Sequence, residues 1–67
     1  MIELHPEDGQ TVESFADDMC WIAKRTYSYV FGYFNEIMLI ALPEDTPQEV
    51  AGLYWRKIKG HTNVNAE

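Results

Sequence analysis

Two runs of aromatic and branched residues, Tyr27–Phe34 and Ile37–Pro43, meet across a two-residue break at Asn35 and Glu36. Few chains constrain their own fold so locally. Runs of this composition on either side of a short Asn-containing turn read as a β-hairpin. Asn tolerates the left-handed backbone that such a turn requires, whereas Glu36 occupies a position better suited to glycine. With the turn at 35–36, strand alternation sorts the side chains onto two faces. One carries Ser28, Val30, Gly32, Phe34, Ile37, Leu39 and Ala41; the other carries Tyr27, Tyr29, Phe31, Tyr33, Met38, Ile40 and Leu42. Both are apolar, and an isolated hairpin needs cover on at least one side.

The flanking segments supply that cover. Val12, Phe15, Ala16, Met19, Ile22 and Ala23 recur at three- and four-residue spacing, the stripe of an amphipathic helix that starts near Thr11 or Ser14 and ends near Arg25. Acids early in this helix and Lys24 and Arg25 at its end suit the helix dipole. Thr46-Pro47-Gln48-Glu49 has the spacing of a capping box with proline at the first helical position. Val50, Leu53, Tyr54 and Ile58 form the stripe of the helix that follows, Trp55 lies at its edge as partial core, and Gly60 offers a stop. The expected fold is therefore α+β: a small α-β-β-α domain over residues 1–60, with a two-stranded antiparallel hairpin packed against two helices. Ile2–Leu4 is short enough for an extra extended piece, and residues 61–67 read as a flexible C-terminal tail.

With 67 residues the chain is one small domain, and 46% hydrophobic and 13% aromatic residues enrich its core. Cys20 is the single cysteine, which points to a reducing compartment. Residues 1–8 have neither a basic nor an apolar segment of the kind a secretory leader carries. The apolar-rich stretch 27–43 is broken by Gly32, Asn35 and Glu36, so no membrane span is expected. These readings place the protein in the cytoplasm.

The net charge of −6 is concentrated. Residues 1–23 hold Glu3, Glu7, Asp8, Glu13, Asp17 and Asp18 and neither Lys nor Arg. Such a field repels nucleic acid and anionic membranes and attracts basic protein surfaces. On a helical wheel Trp21 falls opposite the apolar stripe, among Ser14, Asp17, Asp18, Lys24 and Arg25. An exposed Trp within a charged rim has the form of an interface anchor; packing against the tail or the N-terminal segment is the competing reading. The second hairpin face has the same two alternatives. Either the helices straddle the sheet and both faces are core, or Tyr29, Phe31, Tyr33, Met38 and Ile40 remain open for self-association or a partner.

The inventory for catalysis is thin. Cys20, His5 and Asp8 are a conceivable thiol–imidazole–carboxylate set, but Cys20 borders the apolar stripe, where an inert buried thiol is the ordinary outcome. His5, Glu7 and Asp8 match no metal-binding spacing. Asp17 and Asp18 diverge by 100° as neighbours on a helix and do not form a dyad. No catalytic residue, cofactor or metal is expected.

The segment Phe34-Asn35-Glu36-Ile37-Met38-Leu39-Ile40-Ala41-Leu42-Pro43-Glu44-Asp45-Thr46 resembles a hairpin-to-helix pattern of very small bacteriophage proteins, in which a Phe-Asn turn leads to an alternating strand, proline, Asp-Thr and a capped helix. Here Glu36 stands where those sequences often have glycine. Small acidic phage proteins of this build resemble, as a class, inhibitors of host defence such as anti-CRISPR proteins and restriction inhibitors. The resemblance implies an acidic surface that occupies a basic nucleic-acid-binding site as a DNA mimic, through Glu7, Asp8, Glu13, Asp17 and Asp18 with Trp21 as anchor. The alternative is a structural or regulatory module that homodimerises through Tyr29, Phe31, Tyr33, Met38 and Ile40.

Overall fold

The computed structural model describes the backbone of residues 1–66 and the side chains of residues 1–59. Five elements follow one another: β1 (Ile2–Glu3), α1 (Val12–Thr26), β2 (Val30–Phe34), β3 (Ile37–Ala41) and α2 (Pro47–Ala66). They make a small α+β domain of two helices and one mixed, three-stranded sheet ordered β1-β2-β3.

The hairpin forms as its composition dictates. Asn35 and Glu36 both take positive φ, 50° and 69°, the combination of a type I′ turn. Phe34 then pairs with Ile37, Gly32 with Leu39 and Val30 with Ala41. The expected two-stranded sheet gains a third strand. β1 runs parallel to β2, with Ile2 opposite Val30 and Glu3 opposite Phe31. The Ile2 and Leu4 amides donate to the carbonyls of Tyr29 and Phe31, each at 2.9 Å. Parallel neighbours need a connection of a dozen residues or more, and α1 is that crossover. The extended piece at the N-terminus thus makes the sheet mixed rather than purely antiparallel.

Both helices lie on the same side of this sheet. α1 packs on β2 and β3, and α2 packs on α1 and β3. Val12, Phe15, Ala16, Met19, Cys20 and Ala23 of α1 meet Val30, Leu39 and Ala41 of the sheet and Val50, Ala51 and Tyr54 of α2. The straddling arrangement is excluded by α1 itself: its stripe is shared between the sheet below and α2 beside it, which fixes both helices in one layer.

Gly32 makes the closest helix–sheet approach possible. A Cβ at this position would lie 2.5 Å from the Leu4 carbonyl oxygen and 2.7 Å from the Phe15 ring. With no side chain there, Phe15 descends onto the sheet and starts an aromatic row. Phe15 and Phe34 are 5.8 Å apart, Phe34 and Tyr54 5.3 Å, and Tyr54 and Trp55 5.0 Å, the last two pairs edge to face.

Local signals fix the helix ends. The Thr11 hydroxyl accepts from the Ser14 amide at 3.1 Å. In the capping box the Thr46 amide donates to Glu49 Oε1 at 2.9 Å and the Glu49 amide to Thr46 Oγ1 at 3.3 Å. Helix α1 closes on Tyr27, which takes the left-handed conformation (φ 55°) and donates from its amide to Ala23. Tyr27 therefore belongs to the helix cap, and the strand begins only at Val30. At the other end, α2 continues past Gly60, the expected stop, to Ala66. A glycine within a helix costs about 1 kcal/mol against alanine but keeps its N–H, and the ladder can run through it.

Candidate functional site

Two exposed surfaces stand out, on opposite sides of the domain. The first is the outward face of α1. Trp21 is 61% exposed, and the Arg25 guanidinium lies 5.0 Å above its ring. Because α1 turns its apolar stripe onto sheet and α2, the positions opposite face solvent: Glu13, Ser14, Asp17, Asp18, Trp21, Lys24 and Arg25 are all exposed. The alternative of Trp21 packed beneath the N-terminal segment is ruled out by this exposure.

The acids on this face differ in what engages them. Gln10 works as a clamp: its Oε1 accepts from the Glu7 amide at 3.0 Å, while its Nε2 donates to Asp18 Oδ2 at 2.7 Å and to Ser14 Oγ at 3.2 Å. The Glu7–Gln10 turn, with Gly9 at φ 80°, is thereby fastened to the same surface as Asp18. Glu13 accepts from the indole Nε1 of Trp55 at 3.1 Å. Trp55, expected as partial core, is 52% exposed and serves as a strut between the two helices. Asp17 borders a shallow groove with Glu13, Ser14, Pro47, Gln48 and Ala51. Neither Gln10 nor Trp55 was recognisable as part of this surface from the sequence. Gln10 precedes the helix cap with no pattern to mark it, and Trp55 reaches Glu13 from 42 residues away.

Charge compensation is sparse. Lys24 spends its ammonium on the carbonyls of Pro43 and Asp45, at 2.8 and 2.7 Å, and Lys57 on the Met38 carbonyl at 2.7 Å. Among the described residues His5 Nε2 lies 3.7 Å from Glu3 Oε2, and no Lys or Arg pairs with a carboxylate of α1.

The second surface is the side of the sheet that the helices leave uncovered. Tyr29 and Tyr33 are each about half exposed and Met38 is 38% exposed, with Phe31, Ile40 and Leu42 partly covered beside them. The residues proposed from alternation for a self-association face do share one face. Glu3 and His5 continue it across β1.

The candidate thiol set is not assembled. Cys20 is buried in the core, whereas the His5 side chain is 79% exposed and paired with Glu3. Burial pushes the Cys20 thiol above its ordinary value; Lys24 opposes this, and Asp45, Asp17 and Glu49 add to it. The thiol is thus protonated and shielded, the reverse of an activated nucleophile. Among the described residues no three His, Cys, Asp or Glu side chains converge to hold a metal ion, and His5, Glu7 and Asp8 do not form such a group. No helix among them is long and apolar enough to cross a membrane. The chain matches no protein-family model, no curated protein and no solved structure.

Proposed function

We propose that this chain is a non-catalytic protein-binding module that inhibits a nucleic-acid-handling defence complex of a bacterial host. It docks the outward face of α1 on the basic surface where that complex holds DNA or RNA. The observation that carries the reading is Trp21, 61% exposed on the outward face of α1, with Asp17 and Asp18 on its N-terminal side and the Arg25 guanidinium 5.0 Å above its ring. A large amphipathic ring within a ring of charge is the composition of a binding hot spot. The carboxylates of Glu13, Asp17 and Asp18, with Glu7 and Asp8 on the adjoining turn, supply the field that draws the module to Lys- and Arg-rich channels. Nucleic acid itself is repelled by the same field, so the partner is a protein. The site of action is the cytoplasm of an infected cell, in keeping with the resemblance to phage-encoded inhibitors.

The test is expression in bacteria that carry a CRISPR or a restriction system, with phage plating as the readout. Wild type restores plating against the targeted system, and the Asp17→Lys, Asp18→Lys double variant does not. Binding of the purified complex weakens as salt is raised and is competed by its nucleic acid. Equal inhibition by the double variant would remove the acidic face of α1 from the mechanism.

A further inference from the structure

We propose that the open face of the sheet is the docking site for a second copy of this chain, the two sheets stacking face to face as a two-fold dimer. This surface is separate from α1, and the inference holds whether or not α1 binds a partner.

The first argument is charge. Two molecules of net charge −6 repel each other, and contact through the helical layer would set Asp17, Asp18 and Glu13 against their own copies. The open face holds Tyr29, Phe31, Tyr33, Met38 and Ile40, none of them charged; charged side chains enter at its α2 border, where Ile40 lines a cleft with Asp45, Glu49 and Arg56. On this side two copies approach with their α1 carboxylates pointing apart. The borders are complementary as well. Glu3 lies on the β1 side of the face, and Lys57 reaches the opposite side, at the Met38 carbonyl of β3. A two-fold axis between the sheets and parallel to the strands places β1 of each copy over β3 of the other. Glu3 then faces Lys57 of the second copy, twice over.

The second argument is that the longer edge of the sheet is blunted. Of the two edges, β1 is only two residues long, and edge-to-edge pairing through the five-residue β3 meets a capped side. Lys57 occupies the Met38 carbonyl, and the Asp45 carboxylate accepts from the Leu42 amide at 2.9 Å. Lysines and side-chain caps on an edge are the usual defence against strand addition. The face carries no comparable defence, and tyrosine and methionine are enriched where proteins meet.

The third argument is area. An aromatic side chain presents roughly 150–250 Å², so the half-exposed Tyr29 and Tyr33 together offer on the order of 200 Å². With Met38, Phe31, Ile40, Leu42 and the Glu3–His5 border, the face offers on the order of 500 Å² per copy, or about 1,000 Å² in the dimer. That reaches the lower bound for a specific interface and points to a reversible, concentration-dependent dimer.

Sedimentation equilibrium over a range from micromolar to millimolar chain tests this. The expected result is a dimer that persists as salt is raised, because screening relieves the like net charges while it weakens the Glu3–Lys57 pairs, in contrast to the salt-sensitive α1 contact. Tyr29→Lys and Tyr33→Lys, both at exposed positions, should keep the circular dichroism of wild type and sediment as monomers. Glu3→Lys should weaken the dimer, and the Asp17→Lys, Asp18→Lys variant should retain it. A wild type that remains monomeric at millimolar concentration overturns the proposal and leaves the face to a foreign partner. Undiminished dimerisation of Tyr33→Lys overturns it too, and undiminished dimerisation of Glu3→Lys overturns the stated axis.

Discussion

The Asn35 side-chain amide donates to the Tyr54 hydroxyl across 2.9 Å, tying the tip of the hairpin to α2. The bond joins a turn whose backbone is left-handed at two successive residues to a tyrosine that is otherwise buried. It thus helps hold the hairpin on the helical layer as well as shaping its tip. Tyr54→Phe keeps the ring in its edge-to-face contacts with Phe34 and Trp55 and removes only the acceptor. A lost hydrogen bond of this kind costs about 0.5–1.5 kcal/mol. Asn35 is exposed and recovers water, so urea unfolding should place the variant toward the lower end of that range.

The same turn contains a residue that works against it. Glu36 sits at φ 69°, where a side chain costs about 1–2 kcal/mol and glycine costs nothing. Glu36→Gly should raise stability by about 1 kcal/mol, with the gain offset in part by the greater freedom of glycine when unfolded. A shift of the urea midpoint at unchanged slope is the expected reading.

Gly32→Ala should do the reverse. The added Cβ would collide with the Leu4 carbonyl oxygen at 2.5 Å and with the Phe15 ring at 2.7 Å. Overpacking a core typically costs about 1–3 kcal/mol. Here one obstacle is the backbone that follows β1, which yields less readily than a side chain, so a loss of at least about 3 kcal/mol is expected. Loss of β1 from the sheet should accompany it, visible as faster hydrogen exchange at the Ile2 and Leu4 amides, which donate to β2.

What the sequence made legible follows from the reach of each signal. The hairpin register is written in Asn35 and in the alternation around it. A slip of one residue would expose Val30 and Leu39 and bury Tyr29 and Met38. The second helix announces itself through Thr46, Pro47 and Glu49 because its capping bonds are local. The strand β1 has no such mark: two residues cannot show alternation, and their pairing runs through backbone groups to a segment 28 positions away. Which side of the sheet the helices take is likewise unwritten in either hairpin face, both being apolar. The contact of α1 with α2 keeps both helices on one side, and the side taken is the one where Gly32 leaves room for the Phe15 ring. The outward direction of Trp21 was readable from the wheel, whereas the Gln10 clamp and the Trp55–Glu13 bond join polar side chains with no periodicity to reveal them.

Trp21 separates function from stability. It is exposed, and its close ring contact is the Arg25 guanidinium at 5.0 Å. A cation–π contact at an exposed site contributes about 0.5–1 kcal/mol. Trp21→Ala should therefore shift the folding free energy by no more than about 1 kcal/mol while removing the anchor of the α1 face. Thermal unfolding near that of wild type combined with lost inhibition is the expected pair of results. A collapse of stability instead would mean that Trp21 belongs to the fold.

Cys20 supplies a pH dependence whose sign is fixed by its burial. The folded thiol titrates above its ordinary value of 9.0 because the core disfavours the thiolate. Below that value both states keep the proton, and the thiol has no effect on the equilibrium. Between 9.0 and the higher folded value the unfolded chain has released its proton and the folded chain has not. The unfolded state then binds fewer protons, and stability falls as pH rises. The measurement is the difference between wild type and Cys20→Ala, which isolates the thiol. The alanine variant starts less stable through lost volume, but its urea midpoint should decline less steeply above pH 9.0. In native protein the thiol should also react with a disulfide reagent at a rate set by opening of the core, rising in parallel with the unfolded fraction as urea is added. Rapid labelling without urea, at the rate of a free thiol, would show that the layer of α1, β3 and α2 around Cys20 does not seal it.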